Sequence, residues 1–340
     1  MSEAIIEKAI EFLAANACPS IKLRLLREFY GLENEENEES LKTKIYNDKK
    51  VVNVISNQQK DGWIWKVFHG THSHEAGIRT LCEKGFTSDD KEVRIALEAI
   101  DRYPERVNSG LGRPGWLLDD AKVGGKEIIK AAVFSYAGIE NRNDVQEQIG
   151  IAIEAFSFVA RMNNTSVISE SFKGKVIFKE GIQWPSIYHL RLLAHTDTWR
   201  NQSNMKKVEM GVKKLIALSP MPIFKLRFKS QLVAPASFSM QDFRFIPGKM
   251  NGLQWMMWLH RSELLAKLGM FERISELKKQ KQEFERILKG SNNLFTQPLS
   301  HGSFHNWGAY TGLSLEGDWK NTERRTCDLT FRALMILKKR

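Results

Sequence analysis

The sequence predicts an all-α chain assembled from repeated helical hairpins. Three observations carry that expectation. Apolar residues recur at helical spacing along most of the chain. Glycine or polar breaks, followed by capped return segments, punctuate them. The resulting hairpin unit recurs every few tens of residues, the signature of a solenoid or a closed helical array. At 340 residues the chain is long for one compact core but acceptable for an array whose units pack on their neighbours. A hydrophobic content of 42% is enough to bury a large core, so disorder is not expected.

Taken in order, Ile5, Ile6, Ala9, Ile10 and Leu13 mark a first helix. The step Ala17-Cys18-Pro19-Ser20 ends it, since proline disfavours helix at the residue before it. Ser20 is placed to cap a second helix with Ile21, Leu23, Leu25, Leu26 and Phe29, which Gly31 stops. These form an N-terminal hairpin within residues 1–50, followed by a solvated Asn/Glu-rich stretch from Glu33 to Ser40. Val51, Val52 and Ile55 open the hairpin repeats, expected over 51–218 and 251–340. Ala76, Ile78, Thr80 and Leu81 make a helix stopped by Gly85. Ser88-Asp89-Asp90-Lys91-Glu92 then caps another, with Val93, Ile95, Ala96, Leu97 and Ile100, which ends at Tyr103-Pro104. The same grammar returns at 128–158, at 188–218 and at 253–288.

One region breaks the rule. After Ser219-Pro220-Met221-Pro222, the apolar Ile223, Phe224, Leu226, Phe228 and Leu232 interleave with Lys225, Arg227 and Lys229. Period-two alternation reads as strand, so a small strand-like insertion is expected near 220–247, inside a 219–250 segment. A second, smaller strand is expected at Lys175–Lys179.

The turn Gln58-Gln59-Lys60-Asp61-Gly62-Trp63-Ile64-Trp65 resembles the Q-x-x-D-G-x-W repeat motif of the squalene–hopene cyclase and protein prenyltransferase β-subunit superfamily. The helix and capped return helix that follow resemble its layout, and the stretch from Asn306-Trp307-Gly308 through Leu337 looks like a final repeat. The resemblance implies an α/α-toroid, one domain spanning 1–340. Such a motif is structural: Gln and Asp satisfy orphan backbone groups at a helix end, Gly permits the reversal, and Trp packs across the turn. The chemistry is a separate matter. Neither Asp89-Asp90 nor Asp119-Asp120 completes the D-x-D-D acid motif of the cyclases, and Cys327-Asp328 reverses the order of the D-x-C zinc pair of the prenyltransferases.

Three groups of residues point to chemistry. His69, His72, His74 and Glu75 lie within seven residues, holding three of the eight histidines. Imidazoles and a carboxylate at that density suit proton transfer or a metal, or else cap the helix beginning near Glu75. Their spacing matches no H-E-x-x-H signature, so no cofactor is expected, with zinc the one metal these residue types would admit. Asp119 and Asp120, beside Trp116, would act as acid and base if buried together, or as a helix cap. Asp328 belongs to a C-terminal polar and aromatic set with His301, His305 and Trp307. Aromatic residues are dense elsewhere: Trp63 and Trp65 in the turn, then Trp184, Tyr188 and His189, then Trp255 and Trp258. They would line the pocket of a toroid, for an apolar or sugar-like ligand, or fill the seams between repeats.

The formal charge of +11 is concentrated between Lys206 and Lys289, while five glutamates cluster between Glu33 and Glu39. A basic stretch interleaved with Phe224 and Phe228 suits nucleic acid or an acidic partner, or is simply a solvated face. Met1 is followed by Ser2, Glu3 and an amphipathic segment, no apolar run is long enough to span a membrane, and three distant cysteines form no disulfide pattern. These predict a cytoplasmic protein. Two functions follow as expectations. One is a ligand-binding toroid with acid–base chemistry on an apolar, isoprenoid-like or carbohydrate-like molecule. The other is a non-catalytic protein that binds nucleic acid or an acidic partner.

Overall fold

A computed structural model describes residues 3–30, 35–112 and 114–338. Helices dominate it. The first part contains α1 (Glu3–Asn16), α2 (Pro19–Leu25, continued by a π-helical turn at Leu26–Tyr30), α3 (Glu35–Tyr46), α4 (Lys49–Ser56), α5 (His74–Lys84) and α6 (Lys91–Arg102). The middle contains α7 (Pro114–Asp120), α8 (Lys126–Tyr136), α9 (Asn143–Ala160), β1 (Ser169–Phe172), β2 (Lys175–Phe178), α10 (Ile187–Ala194) and α11 (Gln202–Leu218). The rest contains β3 (Leu226–Phe228), β4 (Gln231–Val233), α12 (Gly252–Lys267), α13 (Ser275–Lys289), α14 (Gly302–His305) and α15 (Thr322–Leu337).

Burial sorts the helices into two kinds. In α6 the residues Val93, Ala96, Leu97, Ala99 and Ile100 are buried and the opposite face is polar, the stripe of a helix covered on one side. In α10 all eight residues are buried, and α5, α8, α12 and α15 are buried over most of their length. Helices buried all round must be surrounded by others. Accordingly α5 packs on α8, α8 on α10, α10 on α12, and α12 on α15. Then α15 packs on α1, α1 on α2, and α2 back on α5. The amphipathic α9 packs outside α8 and α10 and against α11.

Local signals set the helix ends. Ser73 accepts a hydrogen bond from the Ala76 amide and Gly85 closes α5 in the left-handed conformation. Ser186 with His189, and Asn251 with Gln254, form reciprocal capping boxes on α10 and α12. Two expected caps are otherwise. Ser20 lies inside α2, which starts at Pro19, because proline is suited to a first helical turn. Asp90 precedes α6 but bonds the Thr87 amide and the Lys42 ammonium rather than the helix. Gly31 falls outside the described residues, as does part of the Glu33–Ser40 stretch.

The strand-like insertion is present as the short β3–β4 hairpin within otherwise extended chain, pairing Leu226 with Val233 and Phe228 with Gln231. The Lys175–Lys179 strand is also present, as β2, and pairs with β1. The two hairpins meet where the Phe178 amide donates to the Lys225 carbonyl at 2.9 Å. The insertion is fastened over the N-terminal ends of the buried helices: the Ile187 amide donates to the Ala236 carbonyl, and Arg261 donates to the Ser239 carbonyl at 2.6 Å.

The Gln58–Trp65 turn is a structural fastener. Gln58 donates to the carbonyls of Gly62 and of Glu92 at the start of α6. Asp61 accepts from the Trp63 amide and pairs with Arg106 at 2.8 Å. Gly62 has φ +92°, and a Cβ there would stand 2.6 Å from the Ile95 carbonyl oxygen.

Candidate functional site

The buried helices carry polar residues in a pattern the apolar periodicity conceals. On α5, Glu75, Arg79 and Glu83 are spaced four apart; on α12, His260, Glu263 and Lys267 are spaced three and four apart. Tyr188 and Arg191 on α10, Asp328 and Arg332 on α15, and Arg24 with Glu28 at the end of α2 repeat the spacing. Residues three or four apart share a helix face. Contacts link the faces: Arg332 pairs with Glu263 at 2.9 Å and with Glu83 at 3.2 Å, and Arg24 pairs with Glu83 at 2.7 Å. Burying so many charges is tolerable because they are paired.

At the N-terminal end of α5 the pattern becomes a compact proton-handling group. Glu75 has no exposed side-chain surface, and its carboxylate accepts from His69 Nδ1 at 2.7 Å and from the Tyr188 hydroxyl at 2.5 Å. Arg191 Nη1 lies 3.8 Å from the same carboxylate and donates to the Ala309 carbonyl at 2.7 Å. Burial alone pushes the Glu75 pKa up, but the charges of His69 and Arg191 and hydrogen bonds from His69 and Tyr188 outweigh it, and the net shift is downward. An ionised Glu75 accepts only, so His69 Nδ1 carries the proton between them and Nε2 is the ring nitrogen free of the carboxylate. That atom lies 3.5 Å from the Tyr310 hydroxyl. The His69 side chain keeps 10% of its surface exposed. The rings of Tyr188 and Tyr310 flank it edge-on, and Phe238 from the insertion stacks on Tyr310.

The other sequence candidates lie elsewhere. His74 is fully buried: its Nδ1 accepts from the Ile64 amide, its Nε2 faces the Ala96 carbonyl, and its ring stacks on Trp63 at 4.1 Å. With both nitrogens used, it has no proton to exchange, and burial lowers its pKa to about 3. His72 is exposed and sits edge-on to Trp65. Asp119 accepts from the amides of Lys126 and Glu127, which makes it a cap for α8, and its pKa is raised by burial to about 6; Asp120 beside it is exposed. The two carboxyls are thus not buried together. Asp328 accepts from the Leu315 and Glu316 amides and from Trp319 Nε1, so it pins the segment before α15.

Among the aromatic candidates, only Tyr188 belongs to the polar group. Trp63 is core. Trp184 packs on Phe178 and Phe224, and Trp255 and Trp258 share an apolar cluster with Phe245 and Phe284. His189 is spent in the capping box on Ser186. Trp307 is half-buried, with the Arg79 guanidinium 5.1 Å from its ring. In the basic stretch, Phe224 is buried, and Phe228 is half-buried with its ring perpendicular to that of Trp116. Sequence reasoning missed Tyr188's partner Arg191 and the α5 and α12 polar faces. The signal was a charged residue every three or four positions in otherwise apolar helices.

Among the described residues, no three His, Cys, Asp or Glu side chains are placed to hold a metal ion, and no helix is long and apolar enough to cross a membrane. No family model, curated protein or solved structure matches the chain.

Proposed function

We propose that the buried helices form the inner wall of a closed α/α-toroid and that the protein is an enzyme using His69 as a proton acceptor on a hydroxylated, carbohydrate-like molecule. The circuit of packing from α2 through α5, α8, α10, α12 and α15 supports the toroid. The observation that carries the chemistry is the His69–Glu75 pair, an imidazole with a tenth of its surface exposed, oriented by a fully buried carboxylate. A base positioned in this way contributes about 10²–10⁴-fold to a proton transfer. The group favours a polar substrate over an isoprenoid, because hydroxyls and an imidazole surround it while Trp63, Trp184, Trp255 and Trp258, expected to make an apolar wall, are packed in the core. It also favours elimination or isomerisation over glycoside hydrolysis, which needs two acting carboxyl groups, whereas Glu75 is locked between His69, Tyr188 and Arg191.

A screen of glycosides and polyuronates should therefore find a substrate that the protein turns over. His69→Gln and Glu75→Gln should each lower that turnover by about a hundredfold or more, while His69→Gln keeps the wild-type melting temperature. Absence of turnover across the screen, or undiminished turnover in His69→Gln, would remove the assignment.

A further inference from the structure

At the opposite end of α5, away from His69, the helices and the loop after α5 line a half-open cavity of about 190 Å³. Arg24, Arg27, Arg79, Tyr136, His195 and Lys267 contribute to its lining. Within that lining the cations outnumber the carboxylates, Glu28 and Glu83. Both carboxylates are already engaged. Glu83 accepts from Arg24 at 2.7 Å and from Arg332 at 3.2 Å, and Glu28 accepts from Lys338 at 3.0 Å. Two groups in the lining stand out. Arg79 is 3% exposed, donates through Nη2 to the carbonyls of Gly308 and Thr311, and has no carboxylate within ion-pair distance among the described residues. Its Nε and the Tyr136 hydroxyl are both buried without a hydrogen-bond partner.

Each of these is costly to leave as it stands. Arg79 has two carbonyls and the face of Trp307 but no counterion, and its Nε and the Tyr136 hydroxyl have no partner, so part of the hydration given up on burial is not replaced. Offsetting of helix dipoles does not account for them. Arg27 serves that end, donating to the Gly85 carbonyl just past α5, but Arg79 lies more than a turn inside the helix, where the dipole effect has faded. We propose that this cavity binds a small molecule bearing a carboxylate or phosphate group, with the oxyanion held by Arg79 and the Tyr136 hydroxyl. His195 fits the same reading: burial, and then the Lys267 charge, keep it neutral, and its Nε2 accepts from Lys267 Nζ at 2.8 Å, which orients the ammonium. At about 190 Å³ the space is below the usual range for drug-sized ligands, which restricts the occupant to a compact anion.

The test is thermal unfolding and titration calorimetry of the full chain with inorganic phosphate and with citrate, each against potassium chloride at matched ionic strength. Saturable binding and a rise in melting temperature with either anion are expected, and which of the two binds identifies the oxyanion. Tyr136→Phe removes a hydroxyl that bonds nothing in the free protein, so it should fold and should bind the anion about fivefold more weakly. Arg79→Met should weaken binding at least about tenfold. If neither anion acts beyond chloride, or if Tyr136→Phe binds as tightly as the wild type, the proposal is overturned. Because the cavity lies apart from His69, loss of one assignment leaves the other intact.

Discussion

His69 and His74 are five positions apart and do opposite things. His74 has both nitrogens committed to backbone groups inside the core, while His69 has one nitrogen bound to Glu75 and the other near the surface. Their substitutions should separate accordingly. His74→Phe keeps the ring stacked on Trp63 but strands the Ile64 amide and the Ala96 carbonyl. It should cost about 2–4 kcal/mol in urea unfolding, since each stranded group costs about 1–3 kcal/mol. A loss below half a kcal/mol, by contrast, would mean these bonds do little. The sequence put the two histidines in one cluster because proximity along the chain is all it displays. Which nitrogen meets which partner depends on α6 and α10, far away in the sequence.

Among the elements, the Gln58–Trp65 turn was the most legible. Its Gln, Asp, Gly and Trp were read as a structural motif, and each does structural work against α6 or the Arg106 segment. Gly62→Ala tests how tightly it is packed. The substitution strains a positive φ and drives a Cβ against the Ile95 backbone, so about 2 kcal/mol or more should be lost. Gly138 also has positive φ, but nothing lies near its missing Cβ, so Gly138→Ala should cost only the strain. Equal losses at both sites, measured by chemical denaturation, would show that the turn is not pressed against α6. The helical character was legible for the same reason as the turn, because periodicity, glycine stops and capping residues are local. Strand β1 was not, because Ser169-Glu170-Ser171-Phe172 has no apolar alternation and is a strand only through its pairing with β2.

For the whole molecule, the buried ionisable groups predict acid lability. His74, His189 and His260 are buried and neutral, each with its pKa lowered mainly by burial. The unfolded chain takes up protons on them below about pH 6.5 while the native state does not, so their contribution falls as the pH drops through that value. Three such groups give a slope of up to about 4 kcal/mol per pH unit, opposed in part by Asp119, Glu263 and Glu316, whose pKa values burial raises. Glu75 and Glu83 act in the same direction at lower pH. Burial raises their pKa, but nearby arginines and, for Glu75, His69 bring it below the ordinary value, so their contribution is present above about pH 4.3 and lost as the pH falls further. The urea midpoint should be level near pH 7 and decline from about pH 6.5 downward. A constant midpoint between pH 7 and pH 5 would contradict this reading of the histidines.

The sequence alone determined that the chain is mostly helical, where several of its helices lie, and that a small strand-like insertion interrupts them. These features rest on spacing and capping between neighbours, and neighbours are visible in a sequence. Only the tertiary structure decided which polar residues matter. Glu75 on α5 meets Tyr188 and Arg191 on α10, and Arg191 reaches His260 on α12, contacts between residues far apart in the sequence. It also decided that Asp119, Asp328 and His74 are fasteners, since a carboxylate or imidazole takes its role from the donors that surround it once the chain has folded.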